Sequence, residues 1–339
     1  MKKTFLILTI ICVCCINFVQ AQQKVALHSN GTTTIFGGSN PFTDAYNASA
    51  NGDTIYLPGG NIPFPTTIDK GIVIIGAGFY PDSTTATNPT VSNAITLLIG
   101  ENADNLYMEG FEVNGAINFA SSANIDNVVL KRLRFKSMSY LGTGNLCENH
   151  IVRECVITGD VNLSNCKSSM ISNCIIDGRI LNGIEMGISN NLLLHNSAAS
   201  SLYTINNVDN SYFSNNILLK PNNSLVGSTE LSTFEKNVYG YIPDVGSNTF
   251  VNNYEGVNLD SIFVNYNGLL FNYSENYHLV NPLLYTGTDG NEVGIYGGFF
   301  PYKTAAVPKN PHIQLKNIAP TTNANGDLQI QIQVGAQNE

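Results

Sequence analysis

Basic side chains are concentrated in one part of this sequence, and their spacing suits the binding of a repeating anion. Seven of the chain's 16 lysines and arginines fall between positions 131 and 179. Lys131 and Arg153 occupy equivalent positions in consecutive copies of a repeated pattern, which would place one charge above the other. Such a column on a flat face matches the repeated carboxylates of an acidic polysaccharide. We therefore predict a ligand-binding strip formed by Lys131, Arg134, Arg153 and Arg179.

The same basic residues also have an ordinary structural explanation. Arg132 aligns with Glu154 one repeat later, and this alignment predicts an ion pair between them. Exposed ion pairs contribute little to stability, so the alternative is a solvated surface with ordinary charge pairing.

The candidate acid and base residues do not form a recognisable catalytic set. Asp160 and Asp177 lie five and three residues past the repeated position, so their carboxylates need not converge. His195 and His278 are isolated in sequence, and a lone histidine is more often structural. The loop at Asp289 breaks the ligand spacing of a calcium-binding EF-hand. We predict no metal and no cofactor, and the catalytic residues, if there are any, stay unassigned.

Four cysteines follow the amino-terminal segment as two pairs, Cys147 with Cys155 and Cys166 with Cys174. Corresponding members are 19 residues apart, about one repeat, so Cys155 should stack on Cys174 and Cys147 on Cys166. Neighbouring strands are about 4.8 Å apart, and this spacing lies within the range of Cα–Cα distances that a disulfide can bridge. Thiols also fill small apolar positions in a core, whereas neither pair has the spacing of zinc ligands. Disulfides and core-filling thiols both remain open.

These residues belong to a pattern that recurs eight times between Leu106 and Tyr254. Successive copies are 16 to 25 residues apart, as expected for stacked strands joined by loops of variable length. The apolar runs are too short for helices and lack a 3.6-residue period. Four asparagines close the series, which predicts an asparagine ladder. The aligned positions are Gly110, Leu133, Cys155, Cys174, Asn191, Asn216, Asn237 and Asn253.

The amino terminus has the pattern of a secretory signal peptide. Lys2 and Lys3 precede an apolar run from Phe5 to Val19, and Ala21 completes a small-residue cleavage site. The run is short for a membrane anchor, which needs about 20 apolar residues. Removing the leader leaves 14 basic and 25 acidic residues, so the formal charge changes from −9 to −11. That balance argues against nucleic-acid binding.

Elements at both ends of the repeats complete the predicted architecture. Asn40-Pro41 begins a short helix that should end at Asn51-Gly52 and cap the first turn. Residues 312–318 and 328–334 alternate apolar and polar residues about Asn325-Gly326, which predicts a β-hairpin. The predicted domains are a signal peptide (1–21), a β-helix domain (22–304) and a linker with a hairpin tail (305–339).

Two further segments carry a resemblance to a known family. GDTIYLPGG at 52–60 follows the predicted helix, and Tyr277-His278-Leu279 leads into TGTDGNEVGIYGGFFPY at 286–302. With the repeats, these segments resemble the pectate-lyase-like superfamily over roughly residues 40 to 303. The resemblance implies a single right-handed parallel β-helix of about ten or eleven turns, finished by the segment around 277–302.

Many proteins with this fold bind or cleave acidic glycans, although the resemblance does not extend to a catalytic motif. We therefore expect an exported or cell-surface β-helix protein that binds glycan without catalysis, or a surface or adhesive scaffold. The alternative is a polysaccharide lyase or glycoside hydrolase. The predicted partner is acidic polysaccharide, without nucleic acid and without a transmembrane segment.

Overall fold

Short parallel strands stack turn upon turn through most of the chain. The computed structural model is an all-β solenoid of about eight turns, of the right-handed type. It describes residues 23–81, 88–120, 124–142, 146–195, 202–268, 270–303, 306–308 and 312–335. The predicted signal peptide lies outside the described residues. The predicted solenoid is confirmed, but the expected ten or eleven turns exceed the roughly eight turns that form.

An antiparallel hairpin and a short helix precede the first turn of the solenoid. The hairpin, β1 (Val25–Ser29) and β2 (Thr32–Phe36), extends the stack because β1 pairs antiparallel with the first solenoid strand. The helix α1 (Pro41–Ala48) buries Phe42, and the Phe42 ring lies 4.5 Å from that of Phe64. The helix is therefore present at its predicted position, whereas its role as a cap stays a prediction.

Three faces form the wall of the solenoid. Faces 1 and 2 meet at a one-residue bend, and face 3 closes the section. Two long strands, β9 (Tyr107–Val113) and β11 (Val129–Phe135), run through the bend and belong to faces 1 and 2. The other strands of face 1 are β3 (Thr54–Tyr56), β6 (Val73–Ile75), β14 (Ile151–Arg153), β18 (Met170–Ser172), β21 (Gly187–Ser189), β24 (Tyr212–Ser214), β27 (Thr233–Glu235) and β29 (Thr249–Val251).

The remaining faces use equally short strands. Those of face 2 are β4 (Gly60–Ile62), β7 (Thr90–Ser92), β15 (Val156–Ile157), β19 (Ile175–Ile176), β22 (Leu192–Leu193), β25 (Ile217–Leu218) and β28 (Val238–Tyr239). Those of face 3 are β5 (Thr67–Ile68), β8 (Thr96–Ile99), β10 (Ala116–Phe119), β12 (Met138–Tyr140), β16 (Val161–Asn162), β20 (Ile180–Leu181), β23 (Ile205–Asn206) and β26 (Val226–Gly227). Outside the three faces, β13 (Cys147–Glu148) pairs with β17 (Cys166–Lys167).

The bend between faces 1 and 2 places one residue per turn in the left-handed region. Glycine and asparagine tolerate positive φ best, and they supply five of the eight positions in this column. The other three are charged residues, which side-chain contacts must hold there. The column comprises Gly110, Arg132, Glu154, Asn173, Asn190, Asn215, Lys236 and Asn252, with φ between 49° and 77°.

The predicted asparagine ladder follows the bend by one residue and is confirmed by its hydrogen bonds. Asn216 shows the pattern: its Nδ2 donates to Asn237 Oδ1 at 2.9 Å, and its Oδ1 accepts from the Asn191 backbone N–H at 2.9 Å. The alignment at the first copy is wrong by one residue, because Phe111 and not Gly110 is the register partner of Leu133. Gly110 belongs to the bend, where its positive φ explains the glycine.

The four described cysteines are buried free thiols in the lumen core. Cys147 and Cys166 are register partners, as predicted. The Cys155 backbone N–H donates to Cys174 Sγ at 3.4 Å, which continues the ladder with sulfur in place of an amide oxygen. The core-filling alternative is the one the structure shows.

A second hydrophobic core lies outside the solenoid, on face 2. Carboxyl-terminal residues that include Ile262, Tyr277 and Ile295 cover the outward side chains of this face. The covering segment contains β30 (Phe263–Asn265), β31 (Asn276–Leu279) and 3-10 turns at Leu259–Ser261 and Pro282–Leu284. The covered column consists of Val156, Ile175, Leu192, Ile217 and Val238.

This carboxyl-terminal segment returns along the stack instead of finishing it. Gly294 N–H donates to Asn215 O at 2.7 Å, and Asn173 Nδ2, two turns earlier, donates to Gly297 O at 2.9 Å. We call residues 286–303 together with 306–308 the strap. Because it runs toward the amino-terminal end, the expectation that this segment finishes the stack is wrong, which also explains the lower number of turns.

The predicted carboxyl-terminal hairpin forms beyond the strap. It consists of β32 (His312–Ile318) paired antiparallel with β33 (Ile330–Gly335), close to the predicted strands. Gly326 has a φ of 87°, as the predicted Asn-Gly turn requires. Most side chains of β33 are exposed, so the hairpin adds little to either core.

Candidate functional site

The structure brings two of the four predicted binding residues together and separates the others. Lys131 and Arg153 are register partners on face 1, with Glu109 on the preceding turn. Arg134 lies on the same strand as Lys131 but across the bend, on face 2, where it pairs with Val156. Arg179 directly precedes a strand of face 3 and lies at another corner of the solenoid. Only Lys131 and Arg153 form the predicted column.

Arg132, between Lys131 and Leu133, is fully buried in an ion-pair network. Its Nη1 donates to Glu109 Oε1 and its Nε to Glu154 Oε2, both at 2.8 Å. Nη1 also reaches the Val307 carbonyl oxygen of the strap at 3.4 Å. The predicted pair with Glu154 therefore forms, but it is not an ordinary surface pair. The network links three turns and the strap, which makes it structural.

Lys131 shares one of these carboxylates. Its Nζ lies 3.9 Å from Glu154 Oε1, and 12% of its side chain is exposed. Both side chains are largely buried, so Glu154 offsets part of the Lys131 charge where that charge meets the surface. The ion pair holds the ammonium near Arg153, its partner on the next turn.

Arg153 is held by an aromatic side chain of the strap. Its guanidinium carbon lies 4.0 Å from the centroid of the Phe300 ring, a cation–π contact. Phe300 is 52% exposed, so the ring covers the guanidinium and presents apolar surface beside it. The Arg153 Nε atom is buried and has no hydrogen-bond partner among the described residues. A positive charge and an exposed aromatic ring therefore meet at one place.

Arg134 repeats this arrangement across the bend. Its Nη1 contacts Glu112 Oε1, and its guanidinium carbon lies 5.9 Å from the Tyr273 ring. Tyr273 is 37% exposed and packs edge-on against Tyr80, with ring centroids 4.8 Å apart. Burial raises the pKa of Tyr273 to about 12, so its phenol stays protonated at neutral pH. This pair offers a second basic and aromatic surface.

Asp177 is a buried carboxyl close to the Arg134 and Tyr273 pair. Its Oδ1 accepts a hydrogen bond from the Phe271 N–H at 2.9 Å, which ties the covering segment to the solenoid. Burial raises the pKa of Asp177 to about 6, although this hydrogen bond and the charge of Arg134 oppose the shift. The group can therefore exchange a proton near neutral pH.

Arg179 pairs with Asp160, so these two residues are separate from the Lys131 column. The Arg179 Nε lies 3.1 Å from Asp160 Oδ2. Burial alone would raise the pKa of Asp160, but the hydrogen bonds and charge of Arg179 outweigh it and hold the pKa below its usual value. Burial, Lys220 and Arg179 lower the pKa of His195 to about 4, so the imidazole is neutral at neutral pH. This corner has the character of a structural charge cluster.

Sequence reasoning did not identify the aromatic residues that accompany the arginines. Phe300 and Tyr273 lie more than a hundred residues beyond Arg153 and Arg134, in segments without a repeat. Their sequence context could have marked them, because GGFFPY and FNYSENY place aromatic residues among turn-forming and polar ones. The fourth histidine, His278, stacks on Tyr296 with ring centroids 3.7 Å apart.

Across the described ranges, the His, Cys, Asp and Glu residues form no group of three or more that could hold a metal ion. The helical segments within the same ranges are all too short or too polar to span a bilayer. Comparison with protein-family models, curated proteins and solved structures gives no match to this chain.

Proposed function

We propose that this protein is exported and binds acidic polysaccharide without catalysis, through the basic strip centred on Lys131 and Arg153. The observation that carries the proposal is the stacking of these two cations on adjacent turns beside the exposed Phe300 ring. Adjacent turns are about 4.8 Å apart, so a flexible uronate chain can place carboxylates on both. The aromatic ring adds apolar surface for the face of a sugar.

Neighbouring acidic residues limit the strength of this site. Glu109 and Glu154 neutralise Arg132, and Glu154 also attracts Lys131. The net attraction for a polyanion is therefore modest, and it depends on ionic strength because the part of the attraction that passes through solvent is screened within about 8 Å at physiological salt. Weak, repeated contacts suit a long polymer, since several sites along one chain bind together.

We also propose that the chain belongs to the pectate-lyase-like superfamily and is exported. The signal-peptide pattern at 1–21 supports export, and the repeats together with the segment at 52–60 support membership of the pectate-lyase-like superfamily. In that setting the helix α1 would cap the first turn. Polysaccharide binding would also let the protein act as a surface or adhesive scaffold, because the polysaccharide would anchor it.

A double variant, Lys131→Gln with Arg153→Gln, tests the strip. We expect the variant to lose binding to immobilised pectate, alginate and chondroitin sulfate, while the parent chain binds at low salt and less at high salt. The matched control is Lys167→Gln with Lys316→Gln, which removes the same charge elsewhere on the surface. Equal affinity of the strip variant and the control would reject the site.

The second candidate function is a polysaccharide lyase or glycoside hydrolase, and Asp177 is the observation that favours it. A carboxyl group with a pKa of about 6 suits a general base or acid, and Arg134 could neutralise a uronate carboxylate. Assays for unsaturated and reducing ends on the same polysaccharides test this alternative. Activity that is lost in Asp177→Asn would replace the binding function with an enzymatic one.

A further inference from the structure

A polar pocket of about 430 Å³ lies apart from the basic strip, near the carboxyl-terminal end of the stack. It opens beside face 3, between the turn after β26 and the loop that leads to β29. Its volume is within the range of about 300–1,000 Å³ that is usual for small-molecule sites. Residues that line it include Tyr203, Gly227, Thr229, Glu230, Asp244 and Ser247.

An aromatic ring forms part of the pocket, and a glycine makes room for it. A Cβ atom at Gly227 would lie 2.4 Å from Cγ and Cδ2 of Tyr203 and 2.7 Å from Cδ1. These similar distances mean that the ring covers the glycine with its face. Leu181 and Asn206 precede Gly227 in the same register column of face 3. Only the last of these three turns has a glycine at this position, so only that turn has room for the Tyr203 ring.

Two carboxylic acids give the pocket its charge. Glu230 and Asp244 line it, whereas its lining contains no lysine, arginine or histidine. Hydrogen bonds hold the backbone of one acid and the carboxylate of the other: the Glu230 N–H donates to Asp209 Oδ1 at 2.8 Å, and Asp244 Oδ1 accepts from the Gly246 N–H at 3.2 Å. An anionic ligand would be repelled, and a cationic one would be attracted.

Hydroxyl and amide groups supply the remaining polar contacts. Ser247, Ser228 and Asn223 line the wall together with the acids. An aromatic face with hydroxyl, amide and carboxylate groups is suited to a sugar ring, which has both apolar C–H faces and hydroxyl edges. The charge then selects among sugars, since it favours an amine over a carboxylate.

We infer that this pocket binds a single sugar unit that carries a protonated amino group. The inference goes beyond the proposed polysaccharide function, because the ligand class has the opposite charge and the site has different residues. Tyr203 contacts the ring, while Glu230 and Asp244 accept hydrogen bonds from the ammonium group. Charge-assisted hydrogen bonds are roughly twice as strong as neutral ones, so the amine decides affinity.

Glucosamine, glucose and glucuronate have the same sugar ring and differ in charge, so a comparison of their binding tests the inference. Binding to the full mature chain is followed by saturation-transfer and chemical-shift titration at low salt. We expect glucosamine to bind best, glucose at least about tenfold more weakly, and glucuronate not at all. Equal binding of all three, or stronger binding of glucuronate, would overturn the inference.

A double variant, Glu230→Gln with Asp244→Asn, tests the residues. We expect it to lose the preference for glucosamine over glucose while it keeps its melting temperature. The matched control, Glu101→Gln with Asp260→Asn, removes the same charge from other surface pockets and should keep the preference. Pectate binding is measured in parallel, and it should be unchanged because the basic strip is intact. A preference that survives in the pocket variant would place the sugar elsewhere and reject the assignment.

Discussion

Replacing Arg132 with methionine should destabilise the fold more than any exposed charge substitution. The guanidinium is 1% exposed and pairs with Glu109 and Glu154, which are themselves buried. Methionine keeps a long side chain and the same positive-φ backbone, so the main change is the loss of the positive charge. Breaking a buried pair by removing one partner costs about 3–5 kcal/mol. That is a large fraction of a stability of about 5–15 kcal/mol.

Urea denaturation, followed by circular dichroism, measures this cost. The control is Lys167→Met, since Lys167 pairs with Glu148 at 2.9 Å while both side chains are about a third exposed. We expect that control to lose no more than about 1 kcal/mol. A triple variant that adds Glu109→Gln and Glu154→Gln should recover much of the loss, because the two carboxylates are no longer buried as charges without Arg132. A cost below about 1 kcal/mol for Arg132→Met would refute the buried-network argument.

Three further predictions follow from the ladder, the strap and Asp177. Asn216→Leu removes amide bonds to Asn191 and Asn237 and should cost about 1–3 kcal/mol for each group left unsatisfied, whereas exposed Asn223→Leu should leave the melting temperature unchanged. A chain ending at residue 311 should keep the melting temperature of the parent, but one ending at residue 304 should melt lower because it loses the Val307 contact with Arg132; equal melting of the two would show that this end of the strap adds no stability. Because the folded pKa of Asp177 is raised to about 6, the folded state binds more protons than the unfolded state between about pH 4 and 6. Asp177 should therefore contribute stability that is lost as pH rises through that window, and Asp177→Asn should remove this contribution in urea titrations; an identical pH dependence of stability in the variant and the parent would contradict the assigned pKa.

The repeat made most of the solenoid predictable from sequence. Spacing alone placed Cys147 on Cys166 and Lys131 on Arg153, because strands stacked in register carry one repeat into the next. The misalignment of Gly110 arose because a small residue can serve either the ladder or the bend, and only the backbone φ distinguishes the two.

The strap was harder to predict from the sequence, although one sequence pattern does indicate that face 2 is covered. Face 2 strands consist of apolar doublets such as Ile175-Ile176 and Leu192-Leu193, and successive residues of a strand point to opposite sides. One member of each doublet must therefore face outward, which requires an external cover. Which segment supplies that cover depends on contacts across more than a hundred residues, as between Asn173 and Gly297. Periodicity carries no information about such contacts.

The site was predictable only in part for the same reason. Lys131 and Arg153 belong to the repeat, so their adjacency could be read from the spacing. Phe300 and the Val307 carbonyl lie in the strap, outside any repeat, so the partners of Arg153 and Arg132 could not.

Binding to polygalacturonate and to its fully methyl-esterified form shows whether the protein recognises the carboxylates of a polysaccharide. The two polymers share one backbone, and they differ in whether each unit carries a carboxylate. We expect the protein to bind the acidic polymer at low salt, added salt to weaken this binding, and the neutral ester not to bind. Equal affinity for the two polymers, or binding that is insensitive to salt, would contradict a site based on Lys131 and Arg153.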